Sequence, residues 1–486
     1  MRYPHNAIDS KGTLFQKFTQ IIIFLVPSLF LLTFGTHIAL SLTDTIIIYV
    51  FLALTAILSG AVLANKLEKR CHGIFIFLLA LALRLLCLKF WQMTPLSDCK
   101  LGFDASLSLA EYGLGEWADI MQQNTYYYET WAMHVPYVLY QAFAMKILGN
   151  SIVSIQIFNC FFSALSCYYT YKIAYALYSK RNIALFAGLL LAINPTSLLM
   201  SAFIVNQHGS TALMLGSLYY IIFAPRKKVL TNIVLGGVFL GFAQLMRPEM
   251  YIVLIAYICY NIYLLICDFS KKNLMENIKN VLIFTAVFFI IIIWADFTLQ
   301  GLGLTNTSIT ESNLNYKLMI GLNQETEGRF LDADYLLAGN DEAVDALLQS
   351  RLSSPAETLM LFFKKWLFQF SSYNYWWLQA DKGGPARQMF IEEGFEPLLQ
   401  GYMMFILLGA GIASLKSSYR RKRIFALLNI IFIGYLASFA LMEVQQRYVY
   451  MMVPIFTIYA SSALINVPDK IKNIFTKDES EEKNHG

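Results

Sequence analysis

The feature that most constrains this chain is a succession of apolar runs, each close to twenty residues long, separated by short polar connections. A helix of about 20 residues crosses the hydrocarbon core of a bilayer. Inside that core every backbone N–H and C=O must be paired within its own segment, which leaves the α-helix as the form for such runs. The runs fall at 18–40, 45–64, 73–90, 151–178, 183–203, 209–224, 230–246, 250–267, 278–297, 397–415, 424–442 and 448–465, giving about twelve spans. Composition agrees. The 486 residues are 57% hydrophobic and only 14% charged, where soluble domains carry about a quarter charged residues. The chain reads as an all-α polytopic membrane protein. Its first span is long and lacks a small-residue cleavage site, so it reads as an anchor and not a removed signal peptide.

The basic residues set the expected orientation. Every second connection holds a cluster: Lys66, Lys69 and Arg70; Lys180 and Arg181; Arg226, Lys227 and Lys228; Lys271 and Lys272; then Lys416 and Arg420 to Arg423. Both termini are therefore expected in the cytoplasm, including a charged tail at 467–486. The alternate connections, with Asp98, Arg247, the segment after 297 and Glu443 to Arg447, face outward. A net charge of +5 does not point to nucleic acid, because the basic residues sit in these short clusters. The expected organisation is one transmembrane catalytic domain over 1–466, with two large outer segments at 91–150 and 298–396. Within the first, 136–148 reads as a half-buried helix. Residues 357–377 are nearly apolar enough to span, but Lys364 and Lys365 interrupt them. They read as an amphipathic helix in the outer interface, anchored by Trp366, Tyr373, Tyr375, Trp376 and Trp377, with a re-entrant segment as the alternative.

Cysteine and histidine usage excludes two classes of scaffold. Of seven cysteines, Cys87, Cys160, Cys167, Cys259 and Cys267 lie in apolar runs, Cys71 borders a basic connection, and Cys99 alone falls in an outer segment. That pattern gives no outer disulfide framework. The six histidines have no metal-ligand spacing, so no metal site is expected.

The polar residues at the outer ends of the spans are the candidates for chemistry. Asp98 follows the third span in Pro95-Leu96-Ser97-Asp98, ahead of Asp104 and Glu111. It is either a general base or, with Ser97, the cap of a helix over 101–112. Asp104, six residues on, lies on a different helix face. Arg247 and Arg447 stand where a lipid phosphate would lie, and a planar guanidinium suits bidentate phosphate contact. Each also reads as an interfacial anchor. Glu443 is placed to orient Arg447. Arg84 lies in mid-span, where an ionisable group is costly and is a functional candidate by default, with a buried partner or snorkelling as the plain account. Asn206 and His208 read as polar loop residues at an outer edge. Asp332 and Asp334 match the DxD pattern of nucleotide-sugar enzymes, a chemistry that belongs to the cytoplasmic side and not to this outer segment.

The stretch SDCKLGFDASLSLAEYG resembles the first outer loop of the GT-C membrane glycosyltransferases, particularly glycosyltransferase family 39. That family includes the protein O-mannosyltransferases and the lipid A aminoarabinose transferases. The segment from Pro136 to Ser151, and the later stretches NPTSLLMSAF, LMRPEMY and EVQQRYVYMMVP, are similar to the family's pattern. Tyr316 to Tyr335 (YKLMIGLNQETEGRFLDADY) looks like a Gly-Leu-Asn stretch of Gram-positive sugar transferases of this type, with Asn323, Arg329 and Asp334 placed to contact sugar or acceptor. Residue 99 is Cys, where better-known members often carry a second acidic residue.

The resemblance implies an inverting transfer from a polyprenyl-phosphate-linked sugar to a glycan, lipid or protein acceptor of the envelope, on the extracytoplasmic face. No nucleotide, cofactor or obligatory metal is implied. Asp98 or Asp104 would be the base, Arg447, Arg247 and Arg84 the donor-phosphate ligands, and Glu443, Asn323, Arg329, Asp334 and His208 the substrate contacts. One rival is a flippase of lipid-linked glycans, which calls for repeats and midplane polar sites. The other is an outer-face glycan polymerase or ligase.

Overall fold

A computed structural model describes residues 71–465 apart from 225–227, 268, 312–313, 332, 335–336, 338–339, 371–378 and 415–422. The expected spans at 18–40 and 45–64, Asp332, Tyr373, Tyr375, Trp376, Trp377, and the tail at 467–486 lie outside the described residues.

The apolar runs form helices. In chain order these are α1 (His72–Phe90), α2 (Ser97–Tyr112), α3 (Val135–Leu148), α4 (Ile152–Tyr178), α5 (Arg181–Ala192), α6 (Gln207–Phe223), α7 (Val229–Met246), α8 (Tyr251–Cys267), α9 (Lys271–Gly301), α10 (Leu314–Gly321), α11 (Asp341–Arg351), α12 (Pro355–Gln369), α13 (Pro385–Ser414), α14 (Phe425–Leu441) and α15 (Val453–Ile465). Among the described residues, five are long and apolar enough to cross a membrane: α1, α4, α7, α8 with the turn before it, and α9. The apolar stretches of α5, α13 and α14 are shorter. Large apolar side chains stand exposed on α1 (Ile74, Leu78, Leu86) and α9 (Leu282, Ile290, Trp294, Phe297). Faces of this kind belong in lipid, not in water. The other faces pack: α4 lies against α1, α5 and α6, while α13 and α15 close the same core.

One expected span is broken. The run at 183–203 forms α5, then a short helix, Pro195–Met200. Pro195 has no N–H to give the carbonyl four residues back, and the Asn194 side chain accepts from Ser197 N at 2.8 Å to start the new helix. At the break the Leu191 carbonyl accepts from Asn194 N at 3.3 Å, and the Ala192 carbonyl lies next to it. Arg84 donates to both, at 3.4 and 3.2 Å.

The two long connecting segments meet each other. Strands β1 (Met93–Pro95) and β2 (Gln379–Asp381) pair antiparallel with Pro95 opposite Gln379. A small core joins α2 and α3 to the end of α9, through Leu109, Trp117, Tyr128, Val135, Val138, Leu299 and Ile309. The two lysines of α12 diverge. Lys364 is exposed and lies 3.2 Å from Glu327, whereas Lys365 points inward and is completely buried.

Candidate active site

β1 runs directly into the turn that carries Asp98. Ser97 has φ +46°, a left-handed conformation costly for a residue with a Cβ. Strain of that kind persists where the surroundings fix it. Ser97 and Asp98 lie in the first turn of α2, whose cap position is Leu96, so neither fills the capping role. The Asp98 side chain is exposed.

Charged side chains from four parts of the chain come near one another around Asp98. Asp98 reaches the surface, yet enough protein encloses it that burial raises its carboxyl above the ordinary carboxylate range. Arg447 and Lys317 pull it back, and Glu443 adds to the rise. Lys317 on α10 donates to Glu443 Oε2 at 2.6 Å. Gln445 Nε2 donates to the other carboxylate oxygen at 2.7 Å, and Arg447 Nε donates to Gln445 Oε1 at 2.6 Å. A relay Lys317–Glu443–Gln445–Arg447 therefore holds two cations in fixed positions near Asp98. Burial opposes the charge on Glu443, but Lys317 outweighs it and the carboxyl is lowered. Burial likewise opposes Lys317, and Glu443 wins, so the ammonium is raised. Both ions stay charged at neutral pH.

Aromatic rings lie beside the same side chains. The Lys317 ammonium sits 4.9 Å from the Trp131 ring centroid, a cation–π distance. Arg247 and Arg447 lie 5.1 and 5.6 Å from the Tyr448 ring. Tyr127 stacks on His134 at 5.8 Å. Burial, with Lys317, Arg247 and Arg447 nearby, lowers His134 to about 3, so its ring is neutral and is a hydrogen-bonding surface, not an acid. Arg247 is held by Asn206 Oδ1 at 3.0 Å and a two-pronged contact with Glu249.

The other sequence candidates lie elsewhere. Asp104 is exposed and pairs with Lys100 at 2.5 Å; Glu111 is exposed. Asn323 and Asp334 bind each other at 2.9 Å, and Arg351 grips Asp334 at 2.8 Å. That buried lock shapes the loop after α10. Arg329 is half exposed and bonds Thr326 O. His208 Nε2 faces Met200 O, which requires its proton there, so Nδ1 accepts from the Tyr450 hydroxyl at 2.9 Å. Tyr450 contacts Ser163 at 3.0 Å, and Arg84 donates to Ser163 at 2.7 Å. Arg84 and His208 thus belong to a buried network in the helix core. Lys317 and Gln445 were not singled out from sequence. The one signal for Lys317 was its place as a lone cation in the apolar stretch Tyr316 to Ile320. Among the described residues no group of three His, Cys, Asp or Glu side chains gathers to hold a metal ion.

Residues 133–294 match the family model described as dolichyl-phosphate-mannose-protein mannosyltransferase. That match takes in His134, Asn206, Arg247 and Glu249 but stops short of Asp98, Lys317, Glu443 and Arg447. No curated protein matches the sequence. In structure the chain is similar to the archaeal oligosaccharyltransferase AglB from Archaeoglobus fulgidus in complex with an inhibitory peptide and a dolichol-phosphate. That likeness has 14% identity and a TM-score of 0.50, covering 86% of this chain and 52% of that one. A second structure of the Archaeoglobus fulgidus oligosaccharyltransferase, with Zn and sulfate, has 15% identity and a TM-score of 0.49, covering 82% and 49%. The chain spans about half the length of these enzymes, and at such identity the likeness is one of fold. The match over residues 133–294, joined to that shared fold, supports a GT-C superfamily glycosyltransferase.

Proposed function

We propose that this protein transfers a sugar from a polyprenyl-phosphate donor to an acceptor hydroxyl or amine of the cell envelope, on the extracytoplasmic face. The observation that carries the reading is Asp98 in the field of Arg447 and Lys317, two cations fixed by the Glu443–Gln445 relay. The acceptor heteroatom attacks the anomeric carbon from the side opposite the phosphate. Its proton passes to Asp98, whose raised basicity suits that role. The bond between anomeric carbon and phosphate oxygen breaks, and its electron pair leaves with the polyprenyl phosphate. Negative charge grows on that phosphate, and Arg447 and Lys317 are positioned beforehand to receive it. One displacement inverts the anomeric centre. The match to a dolichyl-phosphate-mannose enzyme family supports a lipid-phosphate donor of this class. The alternation of basic clusters along the chain supports the outward side.

The test uses purified protein in nanodiscs with a panel of radiolabelled polyprenyl-phosphate sugars and envelope acceptors, comparing wild type with Asp98→Asn. Transfer by the wild type, with a variant that binds donor but does not turn it over, supports the reading. A wild type that binds none of the donors defeats it. Donor binding without transfer in nanodiscs, with movement of the donor across the bilayer when the protein is placed in sealed proteoliposomes, would favour a flippase.

A further inference from the structure

Lys365 is a buried ionisable group that the proposed chemistry leaves unused. It is 0% exposed, on the inner face of α12. Its three N–H groups donate at 2.7 Å each to the carbonyls of Gly321, Ala440 and Met442. An ammonium has three donors and no acceptor, so this is complete use of the group. The three carbonyls belong to two helix ends: Gly321 closes α10, while Ala440 and Met442 flank the last residue of α14.

Those two ends deliver the relay. Lys317 lies one turn before Gly321 on α10, and Glu443 follows Met442 directly. The last four carbonyls of a helix lack partners within it. On α10 they are taken by Leu322 N, Arg351, Asn323 N and Lys365 in turn. At the end of α14, Trp366, beside Lys365, donates to Leu436 O at 3.0 Å. The two ends pack so closely that a Cβ on Gly321 would run into the Leu441 carbonyl. Gly328, at φ +78°, leaves room for the Lys365 stem, and its carbonyl accepts from Val444 N at 3.0 Å. Burial pushes Lys365 down to about 7, and the Glu443 carboxylate opposes that shift.

We infer that Lys365 is a positioning residue: its ammonium ties the ends of α10 and α14 together and so sets the register in which Lys317 meets Glu443 for the donor phosphate. The inference rests on the proposed function, because it assigns Lys365 a role through Lys317. A cation that only stabilised the fold would change melting temperature and leave the affinity of folded protein untouched.

The experiment measures binding of undecaprenyl phosphate to full-length protein in nanodiscs, for wild type, Lys317→Met, Lys365→Met and the double variant, each checked for a monodisperse folded fraction. Where Lys365→Met gives no folded protein, Lys365→Gln replaces it, keeping two donors for the three carbonyls. Lys365→Met should weaken binding roughly tenfold, and the double variant should be no weaker than Lys317→Met by more than about twofold, because both act on one contact. Unchanged affinity in folded Lys365→Met, or losses that multiply in the double variant, overturns the positioning role. Wild type that fails to bind the probe, or binding indifferent to Lys317→Met, overturns the proposed phosphate site itself and this inference with it.

Discussion

Two parts of this molecule each hold an arginine among apolar helices, and they use it in opposite ways. Arg84 donates to Ser163, Cys167 and the carbonyls of Ala80, Leu191 and Ala192. Those carbonyls are fixed parts of the backbone, and two of them lie at the Pro195 break. Arg447 bonds a side-chain amide, Gln445, which bonds Glu443, which bonds Lys317. The first arrangement ties its arginine mostly to backbone carbonyls in the helix core. The second is a chain of side chains near the Asp98 carboxyl, and side chains can shift their bonds towards an incoming ligand. Burial does not separate a structural cation from a functional one. The nature of the partners, fixed backbone or movable side chain beside an ionisable carboxyl, is the difference between these two.

The largest expected effect falls on the cluster around Asp98. Asp98→Asn should reduce turnover by about 10²- to 10⁴-fold, the range for a general base, with donor affinity retained. Initial rates at saturating donor check this. A variant within tenfold of wild type would remove Asp98 from the reaction and end the contrast between the regions. Arg447→Met should lower kcat/KM by about 10²- to 10³-fold while melting temperature stays near that of wild type. Arg84→Met should reverse that pattern. Leu191 O keeps Asn194 N as a donor, but the buried Ala192 carbonyl loses Arg84, at a cost of roughly 1–3 kcal/mol, so thermal unfolding should drop before specific activity of the folded fraction does. If Arg84→Met instead keeps its stability and loses donor affinity, the division drawn above is wrong.

Much of the fold was legible from the sequence, because a bilayer-length apolar run has one way to satisfy its backbone. The helices over 72–90, 152–178, 229–246 and 251–267 follow the expected spans closely. The break at Pro195 was written in Asn194-Pro195, yet a hydropathy count passes over it because the residues around it stay apolar. The site was half legible. Asp98, Arg247, Glu443 and Arg447 stand at the ends of spans, and such ends gather on one surface once the helices pack. Asn323, Arg329 and Asp334 lie in a segment that does reach this cluster, but Lys317 is the residue that joins it, through Glu443. A loop motif names a neighbourhood. Only the bend of the backbone, here fixed by the Asp334–Arg351 lock, decides which side chain faces inward.

The smallest predicted effect sharpens the comparison through pH. A base works only when deprotonated, so transfer should decline as pH falls through the Asp98 pKa. Burial places that midpoint above the ~4 of an ordinary aspartate. Arg447 and Lys317 both lower it, so removing either cation must move the acid limb to higher pH. Lys317→Met has a second, smaller consequence of opposite sign. Without Lys317 the Glu443 carboxyl is no longer held as low, and where it takes up a proton its upward push on Asp98 is lost, which offsets only part of the direct effect. An acid limb displaced upward in both variants, read from kcat/KM across pH 4–8 with residual activity normalised, would place Asp98 in the field of both cations. A limb that stays fixed in Lys317→Met but moves in Arg447→Met would confine the phosphate site to Arg447. Asp104→Asn, exposed and paired only with Lys100, provides the baseline: its profile should overlay that of wild type, because a surface ion pair contributes little.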